Sequence, residues 1–162
     1  MPTPRFARWR FGARRVPRSK LLGVLVAVLA MASMTAVAVA AGSTTLATGK
    51  AKVKSKTKTV MVDSNGVTLY TLSGESVSHL KCVSSTCFKA WPPYKVSATA
   101  KLTKAKGISG TLSKLHRVKA KFYQVMLNGH PLYRFVLDGG KKGLAKGEGI
   151  TAFGGTWHVV SP

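Results

Sequence analysis

Short apolar runs separated by turn residues dominate the chain beyond residue 59. Two pairs of these β-prone runs flank an Asn-Gly dipeptide: residues 59–62 and 67–72 around Asn65-Gly66, and residues 122–127 and 132–137 around Asn128-Gly129. An Asn-Gly pair between two such runs favours a tight hairpin, because both residues tolerate positive φ. The pattern therefore predicts two β-hairpins.

The remaining stretches add little regular structure to this picture. Residues 156–160 predict a closing strand, while 112–118 fits a strand or a helix. Residues 139–155 contain seven glycines and predict a mobile loop or a long hairpin connection, and residues 95–110 predict a linker. No segment beyond residue 59 has a persuasive helical period, so the sequence predicts a small, single, all-β domain.

One unit of this domain occurs twice. The first copy reads Asn65-Gly66-x-x-Leu69-Tyr70-x-Leu72-x-x-Glu75, and the second, 63 residues later, reads Asn128-Gly129-x-x-Leu132-Tyr133-x-Phe135-x-x-Asp138. Two copies of one supersecondary unit predict a compact body with an approximate internal two-fold axis. We place repeat one at about residues 60–94 and repeat two at about 122–162.

Further positions extend the match between the copies. Val62 and Val125 each precede the Asn by three residues, and Trp91 and Trp157 follow the two tyrosines at similar distances. Successive strand residues point to opposite faces. Each Tyr therefore shares a face with the apolar residue two positions later, and the Leu before it points to the other face. We expect the tyrosines and tryptophans to form the core rather than an open ligand platform.

The N-terminus has the three parts of a secretory signal. Residues 1–20 contain seven basic residues and no acid, residues 21–41 are uncharged and mostly apolar, and Ala38-Val39-Ala40 has the small-x-small pattern of a cleavage site. The apolar run is also long enough to span a bilayer, so an uncleaved anchor is the alternative. Either way we expect residues 42–162 outside the cytoplasm, secreted or in the cell envelope.

The exported part is strongly basic, with 19 basic and four acidic residues and a net charge of +15. Export favours an anionic cell-wall polymer or membrane surface as the partner over nucleic acid; the alternative is that the charge only maintains solubility. Residues 42–59 predict a flexible Lys/Ser/Thr-rich linker. The candidate polyanion-binding residues are Lys50, Lys52, Lys54, Lys56, Lys58, Lys141, Lys142 and Lys146.

Cys82 and Cys87 are the only cysteines, and a C-x4-C pair outside the cytoplasm favours a local disulfide. The alternative is a small redox or metal-binding protein that uses His79 with these two cysteines. Glu75 and Asp138 would provide the carboxylate pair of a glycosidase. An acid at a strand exit more often accepts backbone N–H bonds in a turn.

The motifs taken in order resemble those of the bacterial secreted-repeat family, whose members are described as predicted lipoproteins with a Y-x-(F/W/Y)-x-x-D motif. The residues that match are Tyr70, Cys82, Cys87, Trp91, Tyr133, Phe135, Asp138 and Trp157. The resemblance implies an exported, repeat-built domain of unestablished function and assigns no catalytic role. The chain departs from the pattern in having no lipid-bearing Cys after the apolar run and in having Leu72 and Glu75 in the first copy.

Taken together, the sequence favours a monomeric, non-catalytic envelope module without a cofactor or a bound metal. Its expected partner is an anionic wall polymer, a surface or a protein, which it contacts through the lysines.

Overall fold

A computed structural model describes residues 45–162, which belong to one compact unit. The predicted leader over residues 1–41 lies outside the described residues. The strands are β1 (Ala47–Val53), β2 (Lys56–Val62), β3 (Tyr70–Leu72), β4 (Lys95–Val96), β5 (Leu112–Arg117), β6 (Phe122–Leu127), β7 (His130–Pro131), β8 (Thr151–Ala152) and β9 (Gly155–Val159). The α-helix α1 covers Ser85–Ala90, and 3-10 helices cover Val118–Ala120 and Val136–Asp138.

These strands confirm the predicted all-β class, and they pair antiparallel in three sheets. β1 pairs with β2; β9 lies between β3 and β8; and β6 lies between β4 and β5, with β7 paired to its end. The ambiguous stretch 112–118 is thus mostly strand β5. Across residues 45–162, no helix has the length and apolar character needed to cross a membrane.

The prediction of a flexible linker over residues 42–59 is wrong for residues 47–59. These residues form β1 and most of β2, with Ala47 opposite Val62 and Val53 opposite Lys56. Ala51 and Val53 are buried with Val60, Val62 and Ala145 in one apolar cluster. The alternation of Lys with small apolar residues is the period of a strand with one solvated face, and this period outweighs the linker-like composition.

The second Asn-Gly turn forms as predicted, but its return strand is short. β7 covers only His130–Pro131, and the strand expected over 132–137 is replaced by isolated bridges at Tyr133 and the 3-10 helix Val136–Asp138. Asn128 and Gly129 have φ of 51° and 78°, and the strands that they join pair Leu127 with His130. Positive φ at both central residues gives the turn a twist that matches the flanking strands.

The first Asn-Gly turn has a different construction. Gly66 has a φ of 81°, and Asp63 Oδ1 accepts hydrogen bonds from the backbone N–H groups of Asn65 and Val67 at 2.8 and 2.9 Å. This turn also shifts the match between the copies by one residue. Leu69 N–H donates to the Met61 carbonyl, as Leu132 N–H donates to the Val125 carbonyl. The structural equivalent of Val125 is therefore Met61, and the expected match with Val62 is wrong.

The segment that follows each Asn-Gly turn packs its two faces into different apolar clusters. Leu69 and Leu132 lie in one buried cluster with Met61 and Val125. The tyrosines that follow them lie in a second cluster with both cysteines, Trp91 and Trp157. The predicted separation of neighbouring Leu and Tyr side chains is confirmed, and both of their faces are buried.

Reciprocal contacts between the copies support the internal repeat. Tyr70 N–H donates to the Tyr133 carbonyl at 2.8 Å, and Tyr133 N–H donates to the Tyr70 carbonyl at 2.9 Å. The rings of Trp91 and Trp157 stack with their centroids 3.9 Å apart and their planes 4° from parallel. Equivalent residues thus meet at the centre of the domain, as two related units would place them.

Helix α1 was not predicted from the sequence. Ser84 begins it by accepting a hydrogen bond at its Oγ from Cys87 N–H at 3.1 Å, and the disulfide closes the same segment. Six residues are too few for a periodic pattern to be recognised. A local cap and a covalent closure therefore account for this helix.

Candidate functional site: a basic groove beside the first hairpin

The residues of the family motif lie in the interior. The Tyr70 hydroxyl donates to Asp138 Oδ2 at 2.6 Å, and the Tyr133 hydroxyl donates to Glu75 Oε1 at 3.1 Å. Each side chain is at most 1% exposed. Burial, followed by the bond to Asp138, raises the pKa of Tyr70 well above its ordinary value. Burial and the charge of Glu75 raise the pKa of Tyr133 in the same direction.

The two acids also bind backbone, as expected for residues at strand exits. Glu75 Oε1 accepts from the N–H groups of Lys81 and Cys82 at 3.0 Å each, and Asp138 Oδ1 accepts from Lys146 N–H at 3.0 Å. Three of the four carboxylate oxygens are therefore engaged with the protein's own groups, whereas Glu75 Oε2 is buried without a hydrogen-bond partner among the described residues. These contacts support the structural interpretation over that of a glycosidase pair.

Cys82 and Cys87 form the predicted disulfide, with their Cα atoms 5.6 Å apart. Both cysteines are fully buried, whereas His79 is exposed. No group of three or more His, Cys, Asp or Glu residues within 45–162 is placed to hold a metal ion. The redox and metal alternatives thus gain no support from this part of the chain.

Lysines from two distant segments converge beside the β1–β2 hairpin. Lys52, Lys54 and Lys146 line a cavity of about 360 Å³ together with Glu148. An adjoining cavity of about 190 Å³ shares Lys54 and Glu148 with the first and is also lined by Lys56 and Lys58. We call these two cavities the basic groove.

Specific contacts place the loop that carries Lys146 alongside β1. Lys52 N–H donates to the Gly143 carbonyl at 2.9 Å, and the Thr68 hydroxyl donates to the Leu144 carbonyl at 2.5 Å. The next residue, Ala145, is buried against the hairpin. Lys146 N–H then donates to Asp138. The buried motif acid therefore positions a groove lysine through its backbone.

The electrostatics of the groove are strongly cationic. Its only carboxylate among the described lining residues is Glu148, set against five lysines. Glu148 is itself held to β9, because its Oε2 accepts from Val159 N–H at 2.7 Å and its Oε1 lies 3.2 Å from His158 Nδ1. Five ammonium groups against one engaged carboxylate make an anion the favoured ligand.

Of the eight predicted lysines, five line the groove. Lys50 lies on the same face of β1 as Lys52, and its Nζ donates to Thr59 Oγ1 at 2.7 Å. Lys141 and Lys142 are exposed but do not line either cavity. The aliphatic chain of Lys142 instead lies over Gly66.

Sequence reasoning missed several buried polar residues. Arg117 is 6% exposed and donates to Gln124 Oε1 at 2.9 Å, to the Cys82 carbonyl at 3.2 Å and to the Tyr133 hydroxyl. Arg134 forms an ion pair with the buried Asp63 of the first repeat. A lone Arg gives no sequence signal of such contacts, because its partners come from segments distant in the chain.

Residues 122–161 match a family described as a secreted repeat of unknown function, over about a quarter of the chain. The matched segment corresponds to repeat two and confirms the resemblance inferred from the motifs. It agrees with the expected extracytoplasmic location. No curated protein and no solved structure gives a significant match.

Proposed function

We propose that this protein is an exported, non-catalytic module that binds an anionic polymer of the cell envelope through the basic groove. The observation that carries the proposal is the convergence of Lys146 with Lys52 and Lys54 from a segment about 90 residues away. Lysines that merely kept the domain soluble would have no reason to gather around one concave surface.

The spacing of the lysines along β1, one of them beside the groove and the next within it, suits a repeating anion. Lys50 and Lys52 lie on one face of β1 two residues apart, which corresponds to about 6.8 Å along a strand. Lys54 follows at the turn with a φ of 55°. A row of ammonium groups at such intervals can contact successive charges of an extended polymer, and each contact releases a counterion.

Retention on isolated cell walls tests the proposal. We expect retention of the protein to fall steeply with salt, since exposed charges are screened within about 10 Å at 0.1 M ionic strength. A groove variant, Lys52→Gln/Lys54→Gln/Lys146→Gln, should lose at least tenfold in affinity and show a shallower salt dependence.

The matched control removes three exposed lysines elsewhere, as Lys89→Gln/Lys101→Gln/Lys106→Gln, for the same change in net charge. We expect this control to stay within about threefold of the natural protein. Equal losses in both variants would show that net charge, not the groove, drives binding. Salt-independent retention would also contradict the proposal. Vesicles of anionic lipid, compared with extracted wall polymer, separate the two surfaces that could supply the charge.

A further inference from the structure

A second cavity, lined by no acidic residue, lies beside the disulfide. It has a volume of about 300 Å³, which is at the lower end of the range for small-molecule sites. One wall is the disulfide-closed segment with Leu80, Val83 and Phe88; the other is the 3-10 turn at the end of β5 with Val118 and Lys119. This cavity shares no lining residue with the basic groove.

The two walls expose apolar surface to the cavity mouth. Val83 is 61% exposed and Val118 is 68% exposed, although both are large apolar residues in a small domain. Val118 is exposed because it lies in a tight turn. This turn ends at Lys121, which has a left-handed φ of 56°, and residues 118–120 are all exposed. At about 25 cal/mol for each Å² covered, an apolar ligand between the two valines would be favoured.

The base of the cavity is rigid and holds a buried ion pair between Arg117 and Glu75. Arg117 lines it, and its guanidinium is held by Gln124, the Cys82 carbonyl and the Tyr133 hydroxyl. Its carbon Cζ lies 5.7 Å from the centre of the Phe88 ring. The nearby carboxylate is that of Glu75, which is buried and 3.8 Å from Arg117. Lys119 adds a second cation at the rim, where it is free to reach a ligand.

We propose that this cavity binds a small organic anion with an apolar body, such as an aromatic carboxylate. The apolar part lies between Val83 and Val118, and the carboxylate faces Lys119 at the rim. The apolar walls and this cationic rim favour an anion over a neutral or cationic ligand of the same shape. The site is independent of the polymer-binding function proposed above.

Three probes of one shape test the charge preference: 2-naphthoate, the neutral 2-naphthamide and the cation 2-naphthylmethylammonium. Each probe is titrated into the exported form of the protein, and NMR follows the signals of the valine methyl groups. We expect 2-naphthoate to shift the methyl signals of Val83 and Val118 with saturation below about 1 mM, the amide to bind at least fivefold more weakly, and the cation to leave the signals unchanged.

Variants locate the site. Lys119→Gln and Val118→Ser should each weaken 2-naphthoate at least threefold, whereas Leu137→Ser, a change at another apolar residue that is 64% exposed, should leave the affinity within twofold. Unshifted Val83 and Val118 signals at 5 mM 2-naphthoate would overturn the proposal, as would equal binding of the cation or an equal loss in Leu137→Ser. Cell-wall retention of these variants is expected to be unchanged, which separates failure of this site from failure of the groove.

Discussion

The Tyr70 hydroxyl lies 2.6 Å from Asp138 Oδ2, so the tyrosine of one repeat is bonded to the acid of the other. Tyr133 makes the reciprocal contact with Glu75 at 3.1 Å. The two acids also bind the backbone of the segments that follow them, which carry the disulfide in one repeat and Lys146 in the other. Each repeat therefore stabilises the other, and the same acids also position the disulfide segment and the loop that carries Lys146.

Removal of either hydroxyl should destabilise the whole domain. Tyr70→Phe and Tyr133→Phe each leave a buried carboxylate short of one donor, at a cost of about 1–3 kcal/mol in the free energy of unfolding. Denaturant titration followed by tryptophan fluorescence gives this value. Tyr123→Phe, at a half-buried residue that stacks on His116, serves as the control and should change stability by less than about 0.5 kcal/mol. Equal losses of stability at Tyr70, Tyr133 and Tyr123 would show that the bonds from Tyr70 and Tyr133 to the acids are not a specific source of stability.

The buried tyrosines predict a loss of stability in alkali. Because the pKa of each is raised in the folded protein, the contribution of each is fully present below the unfolded pKa of about 10 and is lost as the pH rises through and beyond it. Each tyrosine should lower the free energy of unfolding by about 1.4 kcal/mol for each pH unit above that point.

Unfolding curves at pH 9, 10 and 11 measure this slope. Absorbance of tyrosinate near 295 nm should show that Tyr70 and Tyr133 ionise only as the protein unfolds. Tyr70→Phe should halve the slope. An unchanged free energy of unfolding between pH 9 and 11 would show that the Tyr70 and Tyr133 hydroxyls ionise as readily in the folded protein as in the unfolded one.

Gly147 lies where the groove loop crosses the aromatic core. A Cβ atom there would come within 2.7 Å of the Trp91 ring and 2.9 Å of the Tyr70 ring. Gly147→Ala should therefore cost about 1–3 kcal/mol through overpacking and should displace the neighbouring Lys146. The expected readouts are a lower midpoint of thermal unfolding and weaker retention on cell walls.

Gly129→Ala is the matched control for Gly147→Ala. Gly129 has open space around a Cβ, but its φ is 78°, so only the backbone term of about 1 kcal/mol applies. Its cell-wall retention should be unchanged. A Gly147→Ala protein with natural stability would mean that the loop moves away from the core at little cost.

The disulfide should be a structural bond. Both cysteines are fully buried, so a thiol reagent can attack the sulfurs only when the segment opens. We expect dithiothreitol to reduce the bond in denaturant and to leave it intact in buffer over the same time, as measured by the mass increase after alkylation. Cys82→Ser/Cys87→Ser should lower the free energy of unfolding by about 2 kcal/mol, the value for closure of a short loop. Rapid reduction of the disulfide in the folded protein would instead support the redox alternative.

Local elements that rest on short-range rules can be predicted from the chain alone. Asn128-Gly129 tolerates positive φ at both residues, so the hairpin between β6 and β7 follows from the dipeptide alone. Alternation along a strand placed Leu69 and Tyr70 on opposite faces, and the structure confirms this in two separate core clusters. The same alternation was present in residues 47–59, where their linker-like composition concealed it.

The residues that meet across the chain are set by long-range packing. The bonds from Tyr70 to Asp138 and from Tyr133 to Glu75 join residues 68 and 58 positions apart, and no local pattern specifies such pairs. The basic groove depends on the same long-range packing. Lys146 lies in the same cavity as Lys52 because Asp138 and Thr68 hold its loop beside β1. Charge and composition can be read from the sequence, whereas the position of charges relative to one another requires the closed fold.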